Sequence, residues 1–131
     1  MPSIHEEAVI NAAPDTVWSV LKNVGEAHKA FAPVLVDCQL AGDVRTLRFG
    51  NGMVLREQLL EVNDERRRVA YTVIESSMMK FHHASMEVRD AGRGLSLFVW
   101  ITDFLPAELG AQIAPLMAQG AQALKKNIEG R

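Results

Sequence analysis

A chain of 131 residues with a formal net charge of −2 has room for one domain with a real core, and it lacks the dense basic face by which nucleic-acid modules hold phosphates. Its 48% hydrophobic content is ordinary for a globular domain, and its single cysteine excludes an internal disulfide and any zinc set built on several thiolates. The start Met-Pro-Ser-Ile-His-Glu-Glu lacks the basic residues and apolar block of a signal peptide, and no apolar run approaches the ~20 residues of a membrane span; with a lone thiol, this leads us to expect a cytoplasmic protein without membrane insertion.

Ile4 to Ile10 reads as a strand, with Ile4, Ala8 and Ile10 on one face. Pro14 and Asp15 then suit the first turn of a helix: proline has no N–H to leave unpaired there, and aspartate meets the positive end. Val17, Trp18 and Leu21 form its buried side. Gly25 breaks it, and Glu26 to Phe31 makes a second short helix before Pro33. From Val34 the signals are those of an antiparallel meander. Val34, Val36, Cys38 and Leu40 alternate with Leu35, Asp37 and Gln39, Ala41-Gly42-Asp43 turns the chain, and Val44 to Phe49 returns it. Gly50-Asn51-Gly52 signals a tight turn. Strands over Met53–Val62, Arg68–Glu75, Lys80–Arg89 and Leu95–Phe104 follow, with Asn63-Asp64-Glu65, Ser76-Ser77 and Asp90-Ala91-Gly92 between them. The basic run Arg66-Arg67-Arg68 falls at one of these turns and reads as a solvated loop or a weak steering patch for an anion.

Pro106 to Glu129 carries the clearest period. At about 100° per residue, Leu109, Ile113, Leu116, Met117, Gly120, Ala121, Leu124 and Ile128 share one sector, and Glu108, Gln112, Gln119, Gln122 and Lys126 lie outside it. Pro115 removes a backbone donor, yet the stripe keeps its phase and Pro115 projects to the polar side, so one bent helix is expected rather than two. At 1.5 Å per residue it reaches roughly 36 Å, the width of about seven strands. The order strand, two helices, six strands, long helix describes an α+β fold, a single domain over residues 1–131 whose curled antiparallel sheet wraps around the C-terminal helix.

Four stretches resemble the helix-grip, START-like (SRPBCC) superfamily, and within it the polyketide cyclase/dehydratase and lipid-transport group: INAAPDTVWSVL, GDVRTLRFGNG, LREQLLEVNDERRRVAYTV and LFVWITDFLPAELG. Their order and spacing span nearly the whole chain. The resemblance implies a hydrophobic cavity between sheet and helix for a lipid, polyketide, hormone or other apolar molecule, and in some members a chamber for aromatic cyclisation or dehydration. Two places depart from the family pattern: HKAFAP lacks a tryptophan just before the proline, and His82 stands where many relatives have a tyrosine.

On the last strand the family pattern turns Phe98, Trp100, Thr102 and Phe104 inward, which leaves Leu95, Leu97, Val99 and Ile101 outward. Aliphatics on the convex face of an antiparallel sheet suggest a homodimer through Leu97, Val99 and Ile101. Tyr71 shares the inner face with Val69, Val73 and Glu75, and His82 shares it with Ala84, Met86 and Val88. The expected cavity residues are Glu57, Tyr71, His82, Met86, Phe98, Trp100, Ile113 and Met117. Glu57 is either a polar anchor or base in an apolar chamber, or a rim carboxylate paired with an arginine such as Arg45. His82 either donates to a ligand carbonyl or acts as an acid/base near neutral pH, or it is a core histidine satisfied by a backbone carbonyl. Tyr71 and Trp100 each bring a large ring with one polar atom, and Met78, Met79, Met86 and Met117 can form an adaptable wall. Gly120, inside the stripe, marks a close approach to a strand or ligand. His82 and His83 point to opposite faces, and His5 and His28 share no ligand spacing with them, so no metal is expected. Gly50-Asn51-Gly52 has no following helix to offer phosphates, so no nucleotide cofactor is expected either.

Few buried acid/base groups favour a binding module for a small hydrophobic molecule. The alternatives are a cofactor-independent cyclase or dehydratase, with Glu57, Tyr71 and His82 as its candidate catalytic residues, and a protein–protein adaptor of the co-chaperone kind that uses the outer surface.

Overall fold

The computed structural model describes residues 2–131. Strand β1 (Ser3–Ile10) leads into helix α1 (Pro14–Leu21), a 3-10 turn (Val24–Glu26) and the one-turn helix α2 (Ala27–Ala30). Strands β2 (Leu35–Ala41), β3 (Val44–Phe49), β4 (Val54–Asn63), β5 (Arg68–Ile74), β6 (Phe81–Gly92) and β7 (Leu95–Leu105) follow, and after a 3-10 turn (Ala107–Leu109) comes helix α3 (Gly110–Glu129). The element order is the expected one. The sheet runs β1-β7-β6-β5-β4-β3-β2, antiparallel throughout, curled and unclosed, with β1 and β2 as its edges. Among the described residues no helix is long and apolar enough to cross a membrane.

Turn chemistry sets these hairpins. Gly42 (φ 63°) closes β2 onto β3, Gly52 (φ 92°) closes β3 onto β4, and Arg93 and Gly94 (φ 57° and 76°) carry the chain from β6 to β7. At the β4–β5 turn the basic run is mostly consumed by ion pairs: Arg67 reaches Asp15 of α1 at 3.0 Å, and Arg68 reaches Glu61 at 2.7 Å. Trp18 of α1 donates to Asp64 of the same turn at 2.8 Å. These bonds fasten α1 across one end of the sheet.

In β2 the alternation differs from the sequence expectation. The register shifts between Leu35 and Asp37, so Leu35 and Cys38 are both buried while Val36 and Leu40 are exposed. One extra residue in an edge strand reverses the faces on either side of it.

Helix α3 is one helix through Pro115, which is exposed, and the stripe from Met117 to Ile128 is buried. It packs chiefly along β1, with lesser contact to β7 and α2. Its C-terminal half is fastened by polar bonds. Lys125 Nζ donates to the Val9 carbonyl (2.6 Å), the Glu129 carboxylate accepts from the Asn11 N–H (2.8 Å), and Asn127 Nδ2 donates to the carbonyls of Ala30 and Ala32 (3.0 and 2.8 Å). Because the helix leans on the β1 side, it does not fill the hollow over β3 to β6.

The outward row of β7 is partly closed by the chain itself. Val99 is only 2% exposed, lying between Glu7 of β1 and Glu87 of β6, whose carboxylate accepts from Arg89 Nε at 2.9 Å. Long polar side chains cover apolar surface with their stems. A dimer through this face therefore has Leu97 and Ile101 to use but little of Val99, and a light-scattering mass decides between one chain and two.

Candidate functional site

The hollow between α3 and the β3–β6 half of the sheet is a cavity of about 160 Å³. Its wall takes Leu47 and Phe49 from β3, Leu55 from β4, Val73 from β5 and Leu109 with Leu116 from the helix side. All five methionines after Met1 also touch it: Met53, Met78, Met79, Met86 and Met117. Thioethers on unbranched chains adapt to guests of different outline.

Of the eight side chains expected on this wall, Glu57, Tyr71, His82, Met86, Trp100, Ile113 and Met117 stand on it. Phe98 does not. It is fully buried one pair further along β7, opposite Ala8 and Val88, and packs behind Trp100 with ring centroids 6.1 Å apart. Facing inward is decided by strand alternation, whereas reaching the cavity depends on where the helix leaves the sheet, and at Phe98 the helix is seated.

A buried polar cluster sits in this apolar wall. Arg45 and Glu57 are directly opposite across the β3–β4 ladder, each 5% exposed, with Nε donating to Oε1 at 2.9 Å. The arginine's Nη1 also donates to the Val24 carbonyl at 3.2 Å, and its guanidinium lies 5.1 Å from the centre of the Tyr71 ring. Glu57 thus has the arginine partner considered from sequence, but the pair is in the interior rather than at the rim. Burial holds the Glu57 carboxyl above the ordinary carboxylate range, with Arg45 pulling it back. Among the described residues Oε2 takes no hydrogen bond from the chain.

Tyr71 is 4% exposed, and its hydroxyl oxygen accepts the indole N–H of Trp100 at 3.1 Å. Burial first, then the Glu57 charge, pushes its phenol well above the usual range, so it stays protonated. Trp100 in turn packs on Phe31 with ring centroids 5.8 Å apart. Glu75, placed on the inner face with Tyr71 by alternation, is instead exposed beyond the end of β5 with φ 57°, where it pairs with Arg56.

His82 is held by an arrangement that alternation cannot reveal. The backbone pairing of β5 with β6 ends at Tyr71–Ala84, and beyond it the Val73 N–H donates to His82 Nδ1 at 3.0 Å while the Thr72 hydroxyl donates to the His82 carbonyl. The imidazole completes the ladder as an acceptor. The remaining proton is therefore on Nε2, which has no partner among the described residues and is the free edge of a ring on the cavity wall. Burial lowers the His82 pKa to about 4. Because the folded value lies below the unfolded value near 6.5, His82 contributes full stability above about pH 6.5 and loses it as pH falls toward 4. His82→Asn, which keeps an acceptor but cannot titrate, is expected to flatten that acid slope by at most about 3 kcal/mol, read from urea midpoints at several pH values.

Gly120 of α3 approaches β7 so closely that a Cβ there falls 2.9 Å from the Trp100 ring. Trp100 cannot move freely, because Tyr71, Phe31 and Phe98 hold it. Gly120→Ala gains up to ~1 kcal/mol of helix propensity and incurs ~1–3 kcal/mol of overpacking. A net loss of about 1–2 kcal/mol in chemical denaturation is expected.

Among the described residues no three His, Cys, Asp or Glu side chains converge as a metal set. The cluster offers a neutral imidazole donor, a phenol and a half-satisfied carboxyl around one apolar space. That suffices to orient an uncharged guest or to pass a proton to it.

A family model described as polyketide cyclase / dehydrase and lipid transport matches residues 1–129. Among solved structures, XoxI of Bacillus cereus is 21% identical with a TM-score of 0.87, covering 98% of this chain and 96% of that one. Norcoclaurine synthase of Thalictrum flavum, in complex with dopamine and hydroxybenzaldehyde, is 18% identical with a TM-score of 0.77, covering 99% and 87%. The two-domain aromatase/cyclase BexL from the BE-7585A biosynthetic pathway is 13% identical with a TM-score of 0.83, covering 98% of this chain and 47% of that one. At these identities the likeness is one of fold. A search among curated proteins gave no significant match.

Proposed function

The chain belongs to the polyketide cyclase/dehydrase and lipid transport family, and we propose that it binds one small, mostly hydrophobic molecule in the cavity between its sheet and its C-terminal helix. The observation that carries this reading is the cavity's survival. An apolar hollow of about 160 Å³ leaves its walls without packing partners, and the flexible leucine and methionine side chains around it have not closed over it. Polar groups with unused hydrogen-bonding capacity on the same wall support a bound guest further. The small aromatic molecules held by norcoclaurine synthase accord with it. A cytoplasmic location goes with this reading, the only thiol, Cys38, being buried and free.

A catalytic use of the same space rests on Glu57, a buried carboxyl with one oxygen unbonded. Glu57→Gln separates the two: a binder loses affinity modestly, whereas a proton-transfer enzyme loses turnover by ~10²-fold or more.

The test of binding is native mass spectrometry of freshly purified protein, followed by solvent extraction. A stoichiometric apolar companion supports the reading. A bare mass, with no shift in melting temperature across lipid and aromatic panels, overturns it and favours a surface-acting adaptor.

A further inference from the structure

Resting on that reading, we infer that the guest is an uncharged compound with a single aromatic ring and a carbonyl oxygen, held by hydrogen bonds from His82 Nε2–H and the Tyr71 hydroxyl. Three observations define the class. The cavity, about 160 Å³, is the size of one that holds a benzene ring. Two neighbouring polar side chains on its wall, His82 and Tyr71, each have a proton to give. His82 Nδ1 is used by the Val73 N–H, so Nε2 is a donor, and the Tyr71 oxygen already accepts from Trp100, which leaves its own proton free. Their rings are 5.9 Å apart at 36°, close enough to serve one oxygen atom.

Charge completes the class. Arg45 is the lone Lys or Arg side chain among the described lining residues, and it is spent on Glu57 and the Val24 carbonyl; Glu57 is the lone carboxylate there. The wall is neutral as a whole. A carboxylate or ammonium guest loses its water without gaining an unpaired counter-charge, and such burial is costly. A ketone or aldehyde loses little and meets two donors.

The probes are acetophenone, ethylbenzene, benzoate and 2-acetylnaphthalene, titrated by calorimetry into the full chain, after solvent extraction if a companion was present. Acetophenone is expected to bind at least 10-fold tighter than each of the other three. In Tyr71→Phe and His82→Phe the preference for acetophenone over ethylbenzene should collapse toward unity, with the ethylbenzene affinity of Tyr71→Phe kept within about threefold as proof of an intact cavity. Equal binding of acetophenone and ethylbenzene by the natural chain overturns the donor assignment and leaves the cavity reading standing. Tightest binding of benzoate overturns the neutral class, and tightest binding of 2-acetylnaphthalene overturns the single ring. If no probe binds but a stoichiometric lipid is extracted, the ligand class falls alone. If no probe binds and the extracted mass is bare, both readings fall together.

Discussion

Arg45→Met is expected to cost about 3–5 kcal/mol and to lower Tm by roughly 10–20 °C at pH 7, the largest loss from any single change in the polar cluster. The substitution keeps most of the side-chain volume but leaves Glu57, 5% exposed, without its countercharge. The carboxyl then sits further above its unfolded pKa. A raised carboxyl pKa gives stability that is present at low pH and is lost as pH rises past the unfolded value near 4.5, so the defect should shrink at pH 5 and grow toward neutrality. The double variant Arg45→Met, Glu57→Leu is expected to recover most of the loss, since a buried pair replaced by apolar groups is often neutral or better. Thermal melts of the three proteins at pH 5 and 7 check each step. A single variant as stable as the natural chain at pH 7 contradicts the burial of the pair.

Trp100→Ala is expected to cost about 3–5 kcal/mol and to change what the cavity accepts. The indole separates the open space from the core, bonded to Tyr71 and packed on Phe31 and Phe98, while α3 presses on it at Gly120. Its removal joins the space it filled to the cavity. A two-ring probe too large for the natural chain should then bind, and by binding only the folded state should restore part of the lost stability in proportion to its concentration. Measured by chemical denaturation with and without 2-acetylnaphthalene, a rescue confined to the variant shows that Trp100 sets the depth of the space. A variant that loses stability but gains no affinity for the larger probe indicates that the core closes over the gap.

The fold was legible from the chain because its strongest signals are periodic. The stripe of α3 follows from a 3.6-residue repeat, the 2-residue repeat of β7 groups Phe98, Trp100, Thr102 and Phe104 on one face, which the family resemblance turns inward, and the tight turns at Gly42 and Gly52 set the hairpins between them. Where a single residue broke a repeat, legibility failed. The bulge beside Val36 moved β2 out of phase, and the left-handed Glu75 ended β5 before its acid could turn inward. The site was legible as a face and not as a place. Alternation puts Phe98 and Trp100 on the same side, but only the seat of the helix makes one core and the other wall. The Arg45–Glu57 pairing could be counted along a hairpin, while its burial required the curl of the whole sheet. Nothing in the order of residues announces that an imidazole will finish a strand ladder, because that depends on where the backbone bonds of β5 and β6 happen to stop.

The fastening of α3 gives the domain a mechanical character. Lys125, Asn127 and Glu129 clamp the last turns to β1 and the α2–β2 connection, whereas the turns around Ile113 and Leu116 border the hollow, and Pro115 between them gives the backbone no N–H to return. The start of the helix is held as well, by buried Leu109 and by Gly110 against the Phe104 ring, so the helix is a beam supported at both ends. The missing backbone bond at Pro115 falls within the span between those supports, beside the hollow. In a beam of this kind the ends keep the sheet and the short helices in register, and the outline of the hollow is set by the span.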